Sequence, residues 1–150
     1  MKNNLNKAFS LAEIIVSMAL VVMLSVVGFL ACTVSVRMTD NRNQHISAWS
    51  VAYSAVDCLR VAVNQGGDVI SQLDEDLVNL VGSNFVENLE NTTGISKTTT
   101  ENGTIYIYRT DKYTMNINVE TSAEVGSPYS YTIDAYTDGG YKLVDIKGVV

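Results

Sequence analysis

The chain has 150 residues, the length of one ordinary domain with room for a short appendage. Apolar residues make up 47%, which excludes a disordered tail, and charged residues only 17%, below the usual quarter for a soluble domain. One histidine (His45) and a formal charge of −6 without a basic block argue against a histidine metal centre, a Ser/His/Asp triad and a dedicated nucleic-acid binder.

The missing charge is concentrated at one place. The first eight residues, MKNNLNKA, are polar and carry Lys2 and Lys7. Residues 11–36 then hold a single carboxylate, Glu13, and no basic residue. As a helix this run would measure about 39 Å, against about 30 Å of bilayer hydrocarbon, so it is long enough to span with some tilt. The lysines ahead of the run favour a cytoplasmic N-terminus, although Arg37 and Arg42 follow it. A cleaved secretory signal would have a shorter apolar region and no glutamate near its start. A lipoprotein signal ending at Ala31-Cys32 has a fitting small residue but again too long an apolar stretch. Cys32 and Cys58 are the only cysteines. On one continuous helix they would lie about 39 Å apart, far beyond the roughly 7 Å a disulfide permits.

The glutamate needs its own explanation, because a carboxylate in a membrane helix costs about 2.5–3.5 kcal/mol at the centre and less near an interface, where it can also snorkel to water. The stretch Lys7-Ala8-Phe9-Ser10-Leu11-Ala12-Glu13, followed by an uninterrupted apolar helix, resembles the processing segment of type IV prepilins and pseudopilins. The resemblance covers residues 2–36, under a quarter of the chain. It implies a leader, 1–8, removed by a membrane prepilin peptidase between Ala8 and Phe9. It also implies N-methylation of Phe9 and a glutamate, Glu13, as fifth mature residue. Ala8 stands where the family usually has Gly, Ser10 where Thr is commoner, and no Pro interrupts the second half of the helix.

Physical chemistry supplies a role for that glutamate. Cleavage would create an α-amino group with a pKa near 8 in water, about one helical turn before Glu13. In a bundle of parallel apolar helices, the amine of one copy and the Glu13 of another would neutralise each other in low dielectric and set axial register. Without Lys2 and Lys7 the formal charge falls from −6 to −8.

Helical periodicity resumes beyond the apolar run. Ile46, Trp49, Tyr53, Val56, Leu59 and Val63 step by three and four, so residues 38 to about 65 read as the amphipathic half of a long helix. The weakly helix-forming stretch 39–44 allows a bend between the halves. Asn64-Gln65-Gly66-Gly67 is a stop signal, and Trp49 reads as head packing. Residues 68–91 read as a connecting helical region on Leu73, Leu77, Leu80 and Val81, which Gly82-Ser83-Asn84 can divide. Its Asp74-Glu75-Asp76 cluster does not have calcium-loop spacing and reads as a solvated face.

From about residue 95 the pattern changes to strands. Seven of the eight tyrosines follow residue 100. Segments 104–110, 113–121, 129–137 and 141–147 alternate and are rich in β-branched and aromatic residues. Asn102-Gly103 signals a hairpin between about 96–101 and 104–109, and Asp111-Lys112 and Asp138-Gly139-Gly140 mark later turns. Cross-strand packing accounts for the tyrosines better than an adhesive surface does.

The expected fold is therefore α+β and pilin-like. A long N-terminal helix, with a transmembrane or filament-core half over 9–37, packs on an antiparallel meander of four or five strands at 95–150. Residues 38–150 form an extracytoplasmic head. No nucleophile, base and orienting group converge in the sequence, and no phosphate loop or metal cluster is legible, so neither an enzyme nor a cofactor is expected. The family resemblance implies a structural subunit, more in keeping with a minor pilin or pseudopilin. Its partners would be other pilin subunits, the peptidase, the membrane before assembly and an inner-membrane assembly platform. Its destination would be a pilus, secretion or DNA-uptake filament at the cell surface. The alternatives are a non-assembling membrane-anchored binding module and a lipoprotein modified at Cys32.

Overall fold

A computed structural model describes residues 11–87, 89, 92–122 and 128–150. Seven elements follow in chain order. They are α1 (Leu11–Gln65), α2 (Val69–Val81), β1 (Gly94–Thr100), β2 (Gly103–Arg109), β3 (Tyr113–Thr121), β4 (Tyr129–Thr137) and β5 (Lys142–Val149). The architecture is α+β: a long N-terminal helix and a five-stranded antiparallel sheet, the arrangement a pilin-like fold has. The chain divides into two compact units, Met1–Asn41 and Arg42–Val150, and the division falls inside the weakly helix-forming stretch 39–44.

In the second unit, the helix from Arg42 to Gln65 buries Ala48, Ala52, Ala55, Val56, Leu59 and Ala62. This is a correction to the sequence-derived face. Val56 and Leu59 lie inward as expected, but Ile46 and Tyr53 are 57% and 58% exposed. The buried stripe is turned toward the alanines: four small side chains fill the inward face of the helix, and the bulkier Ile46 and Tyr53 lie outside it. Trp49 is half-buried against the core, as its head-packing assignment required, and stacks on Tyr53 with centroids 5.4 Å apart.

The helix stops where Gly66 and Gly67 take left-handed torsions, φ 72° and 97°. Asp68 then caps α2, its carboxylate accepting from the Ser71 hydroxyl at 2.7 Å and the Ser71 N–H at 3.4 Å. These bonds hold the Asp68 carboxyl below its ordinary pKa. Leu73 and Leu77, both fully buried, bring α2 into the core. Of the region 68–91 expected to be helical, the helix occupies only Val69–Val81. Gly82 ends it with φ 65° and donates its N–H to the Val78 carbonyl at 2.9 Å. Phe85 then pairs with Ile95 as a parallel bridge, an extended conformation that residues beyond the glycine adopt against the start of β1.

The sheet is a meander in strict chain order, β1-β2-β3-β4-β5, with antiparallel neighbours throughout. Alternation delivers Tyr106, Met115, Ile117, Val119, Tyr131, Ile133 and Ala135 to the buried face. The opposite face carries Thr114, Asn116, Asn118, Thr132 and Asp134. A register shift at Ala135/Tyr136 lets Leu143 and Val144 both be buried in β5. The first hairpin differs from the sequence signal in detail. Thr100 pairs with Gly103, so the turn residues are Glu101 and Asn102, and Gly103 is the first residue of β2.

Candidate functional site

The described part of the first unit, from Leu11 onward, is helix, apolar over residues 11–36 apart from Glu13. Its best 18-residue window has a mean hydropathy of 2.8, and none of that window is buried. Leu11, Leu24 and Phe29 are 77%, 71% and 73% exposed. Exposing such a surface to water carries a large hydrophobic cost, and by length and composition the helix could cross a membrane. Among the described residues, α1 is the one helix long and apolar enough to cross a membrane.

Four of its hydroxyl groups are satisfied within the helix. Ser25, Thr33, Ser35 and Thr39 each donate to the carbonyl four residues back, at 2.8, 2.9, 2.9 and 3.0 Å. This removes most of the polar penalty of burial in hydrocarbon. The helix runs unbroken through Gly28. Glu13 lies in the first described turn, where Ala12, Val16 and Ser17 line a shallow concavity beside it. Lys2, Lys7, Ala8 and Phe9, the leader charges and the cleavage junction, lie outside the described residues. Cys32 is exposed on the apolar helix and Cys58 is half-buried in the head, both as free thiols. Burial, then the carboxylates of Asp76 and Asp57, push the Cys58 thiol up.

The head contains polar networks that the sequence did not single out. Asp74 accepts from Lys97 Nζ at 2.5 Å and from the Tyr106 hydroxyl at 2.8 Å. The acidic cluster 74–76 thus contributes a tie between α2 and the sheet, where the sequence reading had a solvated face. Burial and then the hydrogen bond to Asp74 push the Tyr106 phenol well above its ordinary value. The register Lys97↔Tyr106 is what brings the three together, and no local motif announces it. On the other face Lys142 bridges Asp134 and Asp145 at 2.8 and 2.7 Å. Those bonds raise Lys142 and hold Asp145 down. Among the described residues no three His, Cys, Asp or Glu side chains are placed to hold a metal.

Tyr106, Tyr113 and Tyr131 are buried, and Tyr108 meets Tyr113 edge-on at 6.2 Å. Cross-strand aromatic packing therefore accounts for these tyrosines. Tyr141 is different, at 78% exposed. No family model, curated protein or solved structure matches the chain.

Proposed function

We propose that the chain is a structural subunit of a type IV pilus-like filament, a minor pilin or pseudopilin. It is cleaved between Ala8 and Phe9 and assembled through its apolar helix. The observation that carries this reading is a fully exposed apolar helix whose only carboxylate before residue 40 is Glu13, in its first described turn. In a simple membrane anchor that carboxylate would do no more than reach back to water at the interface; in a subunit that exchanges lipid for neighbouring helices it gains a partner.

Moving from lipid into a helix bundle gains little hydrophobic energy, because both surroundings are apolar; packing and polar pairing must supply the specificity. An α-amino group at Phe9, paired with the Glu13 carboxylate of the next copy, provides that pairing and sets the axial register. Four hydroxyls already bonded to their own helix, those of Ser25, Thr33, Ser35 and Thr39, need no partner from a neighbour. The α+β head and the prepilin-like residues 2–13 add to the same reading.

The test is intact mass and N-terminal sequencing of the native protein, together with Glu13→Val. A chain beginning at methylated Phe9, and a variant that inserts in the membrane without forming filaments, are the expected results. A native chain that starts at Met1 makes it a membrane-anchored module, a lipidated Cys32 makes it a lipoprotein, and either outcome overturns the proposal.

A further inference from the structure

The two edges of the sheet are not alike. β1 is covered in part by the segment that follows α2. The Val86 N–H donates to the Ile95 carbonyl at 2.8 Å, and Phe85 pairs with Ile95 as a parallel bridge. β5 stands at the other edge, and among the described residues β4 is its one strand partner. A single pair shows which of its backbone groups stay open. Tyr129 and Val150 exchange both N–H to carbonyl bonds, at 3.1 and 2.9 Å. Alternation from that pair turns the N–H and C=O of Gly148, Ile146 and Val144 toward β4, and those of Asp145, Lys147 and Val149 outward. Such a row of open groups is a template for another strand.

Two opposite charges stand on this row. Asp145 and Lys147 lie across from Asp134 and Thr132, so both side chains belong to the polar face of the sheet. Lys142 holds Asp145 on one side, and the Asp145 side chain is still 49% exposed. Lys147 has no ion pair among the described residues. Charges on an edge ordinarily repel an incoming strand. For a second β5, running antiparallel about a twofold axis, the sign depends on register. Centred on Asp145, the pairing sets Asp145 against Asp145. Centred on Lys147, it sets Lys147 against Lys147. Centred on Ile146, it sets each Asp145 opposite the other copy's Lys147, twice by symmetry.

We propose that β5 pairs edge to edge with β5 of a second copy, in the register centred on Ile146, so that the two sheets become one continuous sheet. Charge complementarity names the occupant, because this edge matches itself in that register and rejects itself in the two beside it. The contact is isologous and closes on itself. It therefore belongs to subunits outside a growing filament, whose contacts run head to tail. It concerns residues 142–150 alone and does not depend on the filament reading.

The experiment uses the full chain in detergent micelles, as a mixture of isotopically light and heavy protein. A carbodiimide, which joins an ammonium to a carboxylate in contact with it, is expected to link Lys147 of one copy to Asp145 of the other. Mixed light and heavy masses in the linked peptide identify the bond as intermolecular. Sedimentation equilibrium gives the dimer affinity. Lys147→Glu turns both ion pairs into repulsions and is expected to weaken the dimer about tenfold. Adding Asp145→Lys restores opposite charges with their places exchanged, and is expected to bring the affinity back to within about threefold of the unaltered chain. Circular dichroism checks that both variants fold, and the carbodiimide result on the unaltered chain decides alone if either does not. A chain that stays monomeric at its highest soluble concentration overturns the inference. A dimer without the Lys147–Asp145 link, or one that folded Lys147→Glu leaves intact, is held elsewhere and overturns it too. A loss that the charge exchange does not recover shows that these residues do not set the register, and is equally fatal.

Discussion

Gly103→Ala probes how the sheet is built, because the glycine stands where two strands leave no room for a side chain. It pairs with Thr100 on one side and Glu120 on the other. A Cβ at this position would meet the Val119 carbonyl well inside contact distance and the Glu120 Cα at 2.8 Å. Both obstacles are backbone, so no rotamer change relieves them; β2 and β3 must separate or the turn must rebuild. Overpacking of this kind costs about 1–3 kcal/mol, and a purely backbone collision belongs at the upper end. For a head of this size that corresponds to a loss of roughly 10–20 °C in Tm. Thermal unfolding of the full chain in detergent, followed by far-ultraviolet circular dichroism, reads it. The companion is Gly139→Ala, whose Cβ would meet nothing nearer than 3.6 Å. It should change stability by less than about 0.5 kcal/mol. Should the two variants melt within about 2 °C of each other, the close approach of β2 and β3 is not what requires glycine at position 103.

Asp74→Ala leaves the Lys97 ammonium and the Tyr106 hydroxyl without their shared acceptor. It is expected to cost about 1–3 kcal/mol in urea unfolding, whereas Tyr106→Phe, which keeps the ion pair, costs about 0.5–1.5. Equal costs would mean that the ion pair contributes nothing. The raised Tyr106 pKa also makes stability depend on pH at the alkaline end. Above the ordinary value of 10.0 the unfolded chain releases the phenolic proton while the folded chain keeps it. Stability is therefore full below that pH and falls above it. Tyr106→Phe should flatten the alkaline decline in the urea midpoint, and an unchanged slope would place the decline elsewhere.

The fold was legible wherever a local pattern carries the physics. Strand alternation located β2 to β5 within one or two residues, and Gly66-Gly67 ended α1 as expected. The apolar run with Glu13 was visible by composition alone. The buried face of the head helix was misread because a scan for bulky apolar residues overlooks alanines, and four alanines fill that face. The helix after Asp68 ended early because one left-handed glycine, Gly82, outweighed the helical reading of residues 68–91. The Asp74–Lys97–Tyr106 tie depends on strand register and on where α2 docks, and neither is written in a short motif. The role of Gly103 was legible only in part: Asn102-Gly103 marked the hairpin, but the reason for the glycine is the backbone of β3.

The order of the strands also bears on how the head forms. Each strand hydrogen-bonds to the strand immediately before it in the chain, so every pairing closes a short loop. Short loops cost little entropy and form early. A polypeptide delivered from its N-terminus could zip this sheet hairpin by hairpin as it emerged, with β5 the last to attach and its outer edge the last to find shelter.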